Sequence, residues 1–185
     1  MPRKETITRD KLLGSAFELI KEQGIGELSA RHLATKAGCS TQPIFRLYKN
    51  MEDLEKDVFE TCVAYFSQYC NEFGNVYDTP FVNLGMAYIS FARDNKNLFR
   101  VLFVDENQAG KSMYDLVNGG NSNLVIKEIK KIENVDPAEA GEIFSKMWVF
   151  IHGIACMVIR NDFDLSREET AEMLIDMFRR IHGSN

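Results

Sequence analysis

Between positions 41 and 49 stand Thr41, Gln42, Arg46 and Lys49, side chains that exchange hydrogen bonds or carry positive charge. Glutamine matches the adenine edge and arginine the guanine edge exposed in a DNA major groove. Ser29, Arg31, Tyr48 and Lys49 are spaced to touch phosphates, contacts that fix register without reading sequence. Catalytic chemistry finds less support. His32, His152 and His182 lie far apart, and none sits in a metal-ligand spacing such as HExxH. There is no GxSxG nucleophile elbow and no glycine-rich phosphate loop. The acidic cluster Asp162, Asp164, Glu168 and Glu169 is better explained by helix capping and solubility. No catalytic residue, metal or cofactor is expected.

The cationic stretch needs a rigid mount, and the surrounding residues provide one. Ser29 is a cap for a short helix with Leu33, Ala34 and Ala37 inward, and Gly38 ends it in the left-handed conformation common past a helix end. Ser40 is expected to cap a second short helix, with Pro43 in its first turn where a missing N–H costs little. Ile44 and Leu47 then face the interior, leaving Thr41, Gln42, Arg46 and Lys49 outward. This is a helix-turn-helix pattern. Thr8 to Gln23 reads as a preceding helix, with Leu13, Ala16, Phe17 and Ile20 on one face and Gly24 closing it.

Residues 8–54 resemble the N-terminal DNA-binding domain of the TetR/AcrR family of bacterial transcriptional regulators. The resemblance rests on Ala16, Phe17 and Gly24 in the first helix and on Ser29, Leu33, Ala34, Ala37 and Gly38 in the second. Ser40, Ile44, Phe45 and Tyr48 carry it through the third, and Glu52 and Leu54 into the fourth. It implies that Thr41, Gln42, Arg46 and Lys49 approach DNA, and with Ser29, Arg31, Ser40 and Tyr48 they make up the candidate DNA-binding residues. Two positions depart from the family. Tyr often stands where this chain has Phe45, and Lys where it has Met51, and both usually touch phosphates. Phe45 brings no hydroxyl there and Met51 no charge.

Net charge, −5 over 185 residues, looks wrong for a DNA-binding chain until it is divided. Residues 1–50 hold nine Lys/Arg against five Asp/Glu, and the remainder thirteen against twenty-two. Affinity for nucleic acid follows local cationic density, because neutralised phosphates release counterions. Arg3 and Lys4 are either a solvated tail or an arm along the backbone. The start lacks an apolar signal segment, and the nearly uncharged run Met147 to Ile159 is shorter than the roughly 20 apolar residues a bilayer demands. A cytoplasmic protein with no membrane partner is expected, and its four cysteines are expected to be thiols that pack.

A fourth helix is expected from Asn50 to about Phe73, roughly 36 Å long, able to carry a displacement rigidly. Further helices are expected at 81–94, 97–104 and 124–132, with a short one around 113–117 and the breaker NGGNSN at 118–123. Asp136, Pro137 and Glu139 signal the start of a long helix over about 138–160, and Ser166 with Glu169 that of a last helix over about 166–182. The helix 138–160 is apolar on more than one side, so it should be buried on more than one side. The family resemblance implies a homodimer through these last two helices, with Gly153 and Ala155 permitting close approach. It also implies an effector cavity in the C-terminal half, for which Phe66, Tyr88, Phe91, Phe103, Trp148 and His152 are the candidates. Core packing is the competing reading of these aromatics, and a satisfied buried histidine that of His152.

The expected protein is all-α: a three-helix DNA-binding head over residues 1–50 and a ligand-binding and dimerisation domain over 51–185, connected by the helix 50–73. Its expected function is that of a dimeric repressor on a palindromic operator of double-stranded DNA, released by a small-molecule effector. A DNA-binding factor governed by a protein partner, with no small effector, is the alternative. A small helical enzyme with a coincidental helix-turn-helix is the rival of another class.

Overall fold

The computed structural model describes residues 7–105 and 137–183, and every regular element among them is helical. The short helix expected at 113–117, the breaker 118–123, the helix 124–132, the cap Asp136, the side chain of Glu139, and the arm residues Arg3 and Lys4 lie outside the described residues. The helices are α1 Arg9–Gln23, α2 Ala30–Ala37, α3 Gln42–Leu47, α4 Met51–Glu72, α5 Pro80–Asp94, α6 Lys96–Phe103, α7 Pro137–Arg160 and α8 Arg167–His182. They divide into two compact units. One comprises residues 1–65 and 97–110, the other 66–96 and 111–185. The boundary thus falls within α4, and α6 belongs with the N-terminal helices.

In the first unit the ends of the helices are set by local chemistry. Thr8 caps α1, its Oγ1 accepting from the Lys11 N–H at 3.2 Å. Ser29 caps α2 in the same way through the His32 N–H at 3.2 Å. Gly38 closes α2 at φ 68°, ψ 34°, and the N–H of Cys39 returns to the Ala34 carbonyl at 2.9 Å. Only a residue without a Cβ adopts that turn freely. Leu12, Ala16, Ile20, Leu33, Ile44 and Leu54 form the buried centre.

Three side chains from distant parts of the sequence hold the C-terminal end of α3. Tyr48 is only 3% exposed. Its hydroxyl donates to the Asp57 carboxylate on α4 at 3.2 Å and accepts from Arg9 Nε on α1 at 3.2 Å. The Arg9 guanidinium lies 4.8 Å from the Tyr48 ring centre and also pairs with Asp57. At its other end, α1 is tied to α6: Asn97 Nδ2 donates to the Lys21 carbonyl at 3.0 Å. Lys21 in turn sits over the ring of Tyr65, 4.9 Å from its centre.

In the second unit α5, α7 and α8 pack on one another. Met147, Ile151, Ile154, Ala155 and Val158 form the buried stripe of α7, at the i, i+4, i+7, i+8, i+11 spacing of one helical face. Gly85 on α5 lets the helices approach; a methyl there would lie 2.9 Å from Ile151 Cδ1 and 3.1 Å from Leu174 Cδ1. The turn before α5 is organised by buried Asn83, whose Oδ1 accepts from the N–H groups of Val76 and Tyr77 at 2.9 and 2.8 Å. The capping box expected at α8 is present: the Glu169 N–H donates to Ser166 Oγ at 3.1 Å, and the Ser166 N–H to the Glu169 carboxylate at 2.8 Å. Those bonds to the ionised form hold the Glu169 carboxyl below its usual range.

Removing the Tyr48 hydroxyl tests the clamp on α3. Tyr48→Phe should lower unfolding free energy by about 1 kcal/mol, the net worth of a typical hydrogen bond, measured by chemical denaturation. A value indistinguishable from wild type would show that the hydroxyl holds nothing.

Candidate DNA-binding face and apolar pocket

The outward face of the helix-turn-helix is built as its residue types require. Ile44 is fully buried. With that position turned inward, Thr41, Gln42, Arg46 and Lys49 are exposed on α3 and its flanks, and Ser29 and Arg31 are exposed at the start of α2. Seven of the eight residues expected at DNA, Ser40 included, therefore reach solvent on this motif. Tyr48 does not. It is spent on the Arg9–Asp57 clamp, and burial is the main cause pushing its hydroxyl pKa up. Its place is behind the face, as the residue that positions α3.

Ser40 also departs from its expected role. The cap position of α3 is Thr41, and its side chain makes no capping bond. Side-chain capping needs an extended cap residue, whereas Thr41 already has helical angles, φ −71° and ψ −18°. Pro43, in the first turn, removes one of the N–H groups that a cap would serve. Both hydroxyls, on Ser40 and Thr41, are thus left on the exposed side. Phe45 is 53% exposed, beside Arg46 on the same short helix.

The second unit contains a small apolar pocket lined by Phe66, Phe81, Leu84, Gly85, Tyr88, Trp148 and Ile151. Of the expected ligand residues, Phe66, Tyr88 and Trp148 line it. Phe91 stands behind Phe66, with ring centres 5.0 Å apart. Phe103 belongs to the first unit, against Phe99 at 5.1 Å, and is not brought to the pocket. Its helix looks like a continuation of α5 in sequence but packs elsewhere. Phe81, Leu84 and Gly85 were not anticipated here, although with Tyr88 they form an i, i+3, i+4, i+7 stripe that a facing pattern on 148 and 151 would have completed.

His152 stacks on Trp148, with ring centres 6.1 Å apart. Its Nδ1 lies 2.9 Å from the Tyr88 hydroxyl, and its Nε2 lies 3.4 Å from Cys156 Sγ. Both ring nitrogens are occupied, so His152 is the satisfied histidine of the two readings. Among the described residues, the buried side-chain donor that lacks a protein acceptor is instead the indole Nε1 of Trp148. Burial pushes the Tyr88 hydroxyl well above its usual range and the thiols of Cys62 and Cys70 to about 12. These thiols stay protonated and pack, as expected. No cluster of His, Cys, Asp and Glu among the described residues has the makings of a metal site.

Burial lowers the His152 pKa below 6.5. The folded protein therefore takes up this proton less readily than the unfolded chain. Stability from His152 is whole above about pH 6.5 and is lost as pH falls through that value toward the folded pKa. The midpoint of thermal unfolding should drop between about pH 7.5 and 5.5, and drop less in His152→Gln. An equal drop in both proteins would remove His152 from the account.

The family match falls on the other end of the chain from the helix-turn-helix, whereas the structural match spans nearly all of it. Residues 81–178 match the family described as tetracyclin repressor-like, C-terminal domain. No curated protein matches the chain. A crystal structure from Mesorhizobium loti, described as belonging to a TetR-family transcriptional regulator, superposes with a TM-score of 0.61 over 95% of each chain at 15% identity. That identity speaks for the fold, and the all-α arrangement with an N-terminal helix-turn-helix is common to both. With more than half of its length inside the family's C-terminal domain, the chain belongs to the TetR family of transcriptional regulators.

Proposed function

We propose that the protein is a homodimeric repressor, not an enzyme, that binds a palindromic operator in cytoplasmic DNA and lets go when a small effector enters the second unit. The observation that carries this is that Ser29, Arg31, Ser40, Thr41, Gln42, Arg46 and Lys49 are all exposed on the helix-turn-helix while Ile44 is buried. Arg46 and Gln42 read base edges, and Arg31, Lys49 and the hydroxyls hold phosphates. Residues 1–50 serve the DNA and 51–185 serve regulation and assembly.

Dimerisation is supported by α7. Outside its buried stripe, Val149 is 73% and Met157 45% exposed, with exposed Gly153 between them at i, i+4, i+8. Ala155 is fully buried within its own unit and takes no part in that surface. Gly141–Arg160 is by length and composition apolar enough to cross a membrane. Core helices pass the same test, and the packing of Met147, Ile151 and Ala155 favours that origin here. A second copy of α7 and α8 covers the remaining apolar stripe, and the two-fold axis sets two heads on one duplex.

The pocket against Trp148 is the proposed effector site, suited to an apolar body with one acceptor for the indole N–H. Release requires that the effector bind the two dimer states unequally, with α4 carrying the difference to the head.

Arg46→Ala should weaken operator binding by roughly 1–3 kcal/mol and relax base preference, whereas Lys49→Ala should weaken all sequences alike and flatten the salt dependence. Fluorescence anisotropy with selected and scrambled duplexes measures both. Wild-type affinity in both variants at moderate salt would mean that this face does not meet DNA. Trp148 is the only tryptophan in the chain, so an effector that releases DNA should also change its emission. Release with unchanged emission would place the effector elsewhere.

A further inference from the structure

Phe45 is out of keeping with its surroundings. The other exposed residues of α3 and its flanks are hydrogen-bonding or cationic. Among the exposed large apolar side chains of the described residues, Phe45 is the one aromatic; the others are Val76, Val104, Val149 and Met157. Phe17, Phe59, Phe66, Phe81, Phe91 and Phe99 are all buried. With Ile44 in the core, the helix cannot turn to bury its neighbour without expelling Ile44. The ring is therefore presented on the same face as Gln42, one helical turn away.

A polar groove offers such a ring little. It has no hydroxyl with which to reach a phosphate and nothing to donate to a base edge. The apolar group that a major groove displays is the 5-methyl of thymine. Residues three apart on a helix have Cβ atoms about 5–6 Å from each other, while stacked bases rise about 3.4 Å per step. A methyl touched by Phe45 thus lies within one or two base steps of the base met by Gln42.

We propose that Phe45 is a specificity-determining residue that reads the 5-methyl group of a thymine in each half-site, next to the base contacted by Gln42. This rests on the regulator reading given above and adds to it a base that no hydrogen bond reports.

Replacing thymine by deoxyuridine deletes the methyl and leaves every hydrogen-bonding edge intact. Full-length protein is first used to select an operator from a random duplex library. Each thymine of that operator is then replaced in turn by deoxyuridine in both half-sites, and Kd is measured for wild type and Phe45→Ala at one salt concentration. At one symmetric thymine pair, wild type should lose roughly fourfold per half-site, the worth of burying one methyl group. Phe45→Ala should bind the thymine and deoxyuridine operators equally, and Phe45→Leu should keep part of the discrimination. Thermal unfolding of Phe45→Ala should stay close to wild type, because more than half of the residue is exposed. Insensitivity of wild type to every replacement would overturn the proposal, as would the same penalty in Phe45→Ala. A Phe45→Ala variant weakened on all sequences alike would assign the ring to backbone sugars instead. A selection that enriches no sequence at all would defeat the regulator reading itself, a result distinct from the loss of this one contact.

Discussion

The orientation of α3 depends on a buried tyrosine. A six-residue helix is far too short to persist alone, since isolated helices below about 12–15 residues are marginal in water. It is held by Ile44 in the core and by Tyr48 just past its end, which meets Arg9 on α1 and Asp57 on α4 together. The ion pair by itself is partly exposed and contributes modestly. Its value is geometric, because the aromatic ring beneath the guanidinium and the shared hydroxyl leave the end of α3 one place to sit. What the outward residues do for DNA is conditional on that placement.

The two ends of the chain point to the same family through different physics. The N-terminal resemblance rests in part on turn and cap residues such as Gly24, Ser29 and Gly38, whose backbone requirements are strict. The family match over 81–178 is carried by a helical core whose facing stripes are apolar. These segments share no residue, so agreement between them is more than one pattern counted twice.

Much of the architecture was legible because its signals are local. Helix starts at Ser29 and Ser166 and stops at Gly24 and Gly38 follow from backbone geometry that a few neighbouring residues impose. Candidate DNA residues were legible for a related reason: on a short amphipathic helix, knowing that Ile44 is inside fixes what is outside. Non-local facts were hidden. Nothing near Tyr48 announces a partner 39 residues upstream. Phe103 was assigned to the wrong unit because aromatic residues at helical spacing look alike wherever they pack. Ser40 was one residue early as a cap, a shift decided by the helical angles of Thr41. Gly85 had a legible cause, the crowding by Ile151 and Leu174, but only once three helices were in place.

Asn97 closes the last exposed carbonyl turn of α1 by bonding to Lys21, and it belongs to a helix that follows α5 in the chain. The N-terminal unit is therefore discontinuous, interrupted by residues 66–96. During synthesis the ribosome releases α1 to α4 well before α6, so this unit waits, incomplete, while a segment destined for its neighbour emerges. A nascent chain cannot finish its head until residues 66–96 of the body have emerged, yet it can do so before residues 111–185 follow.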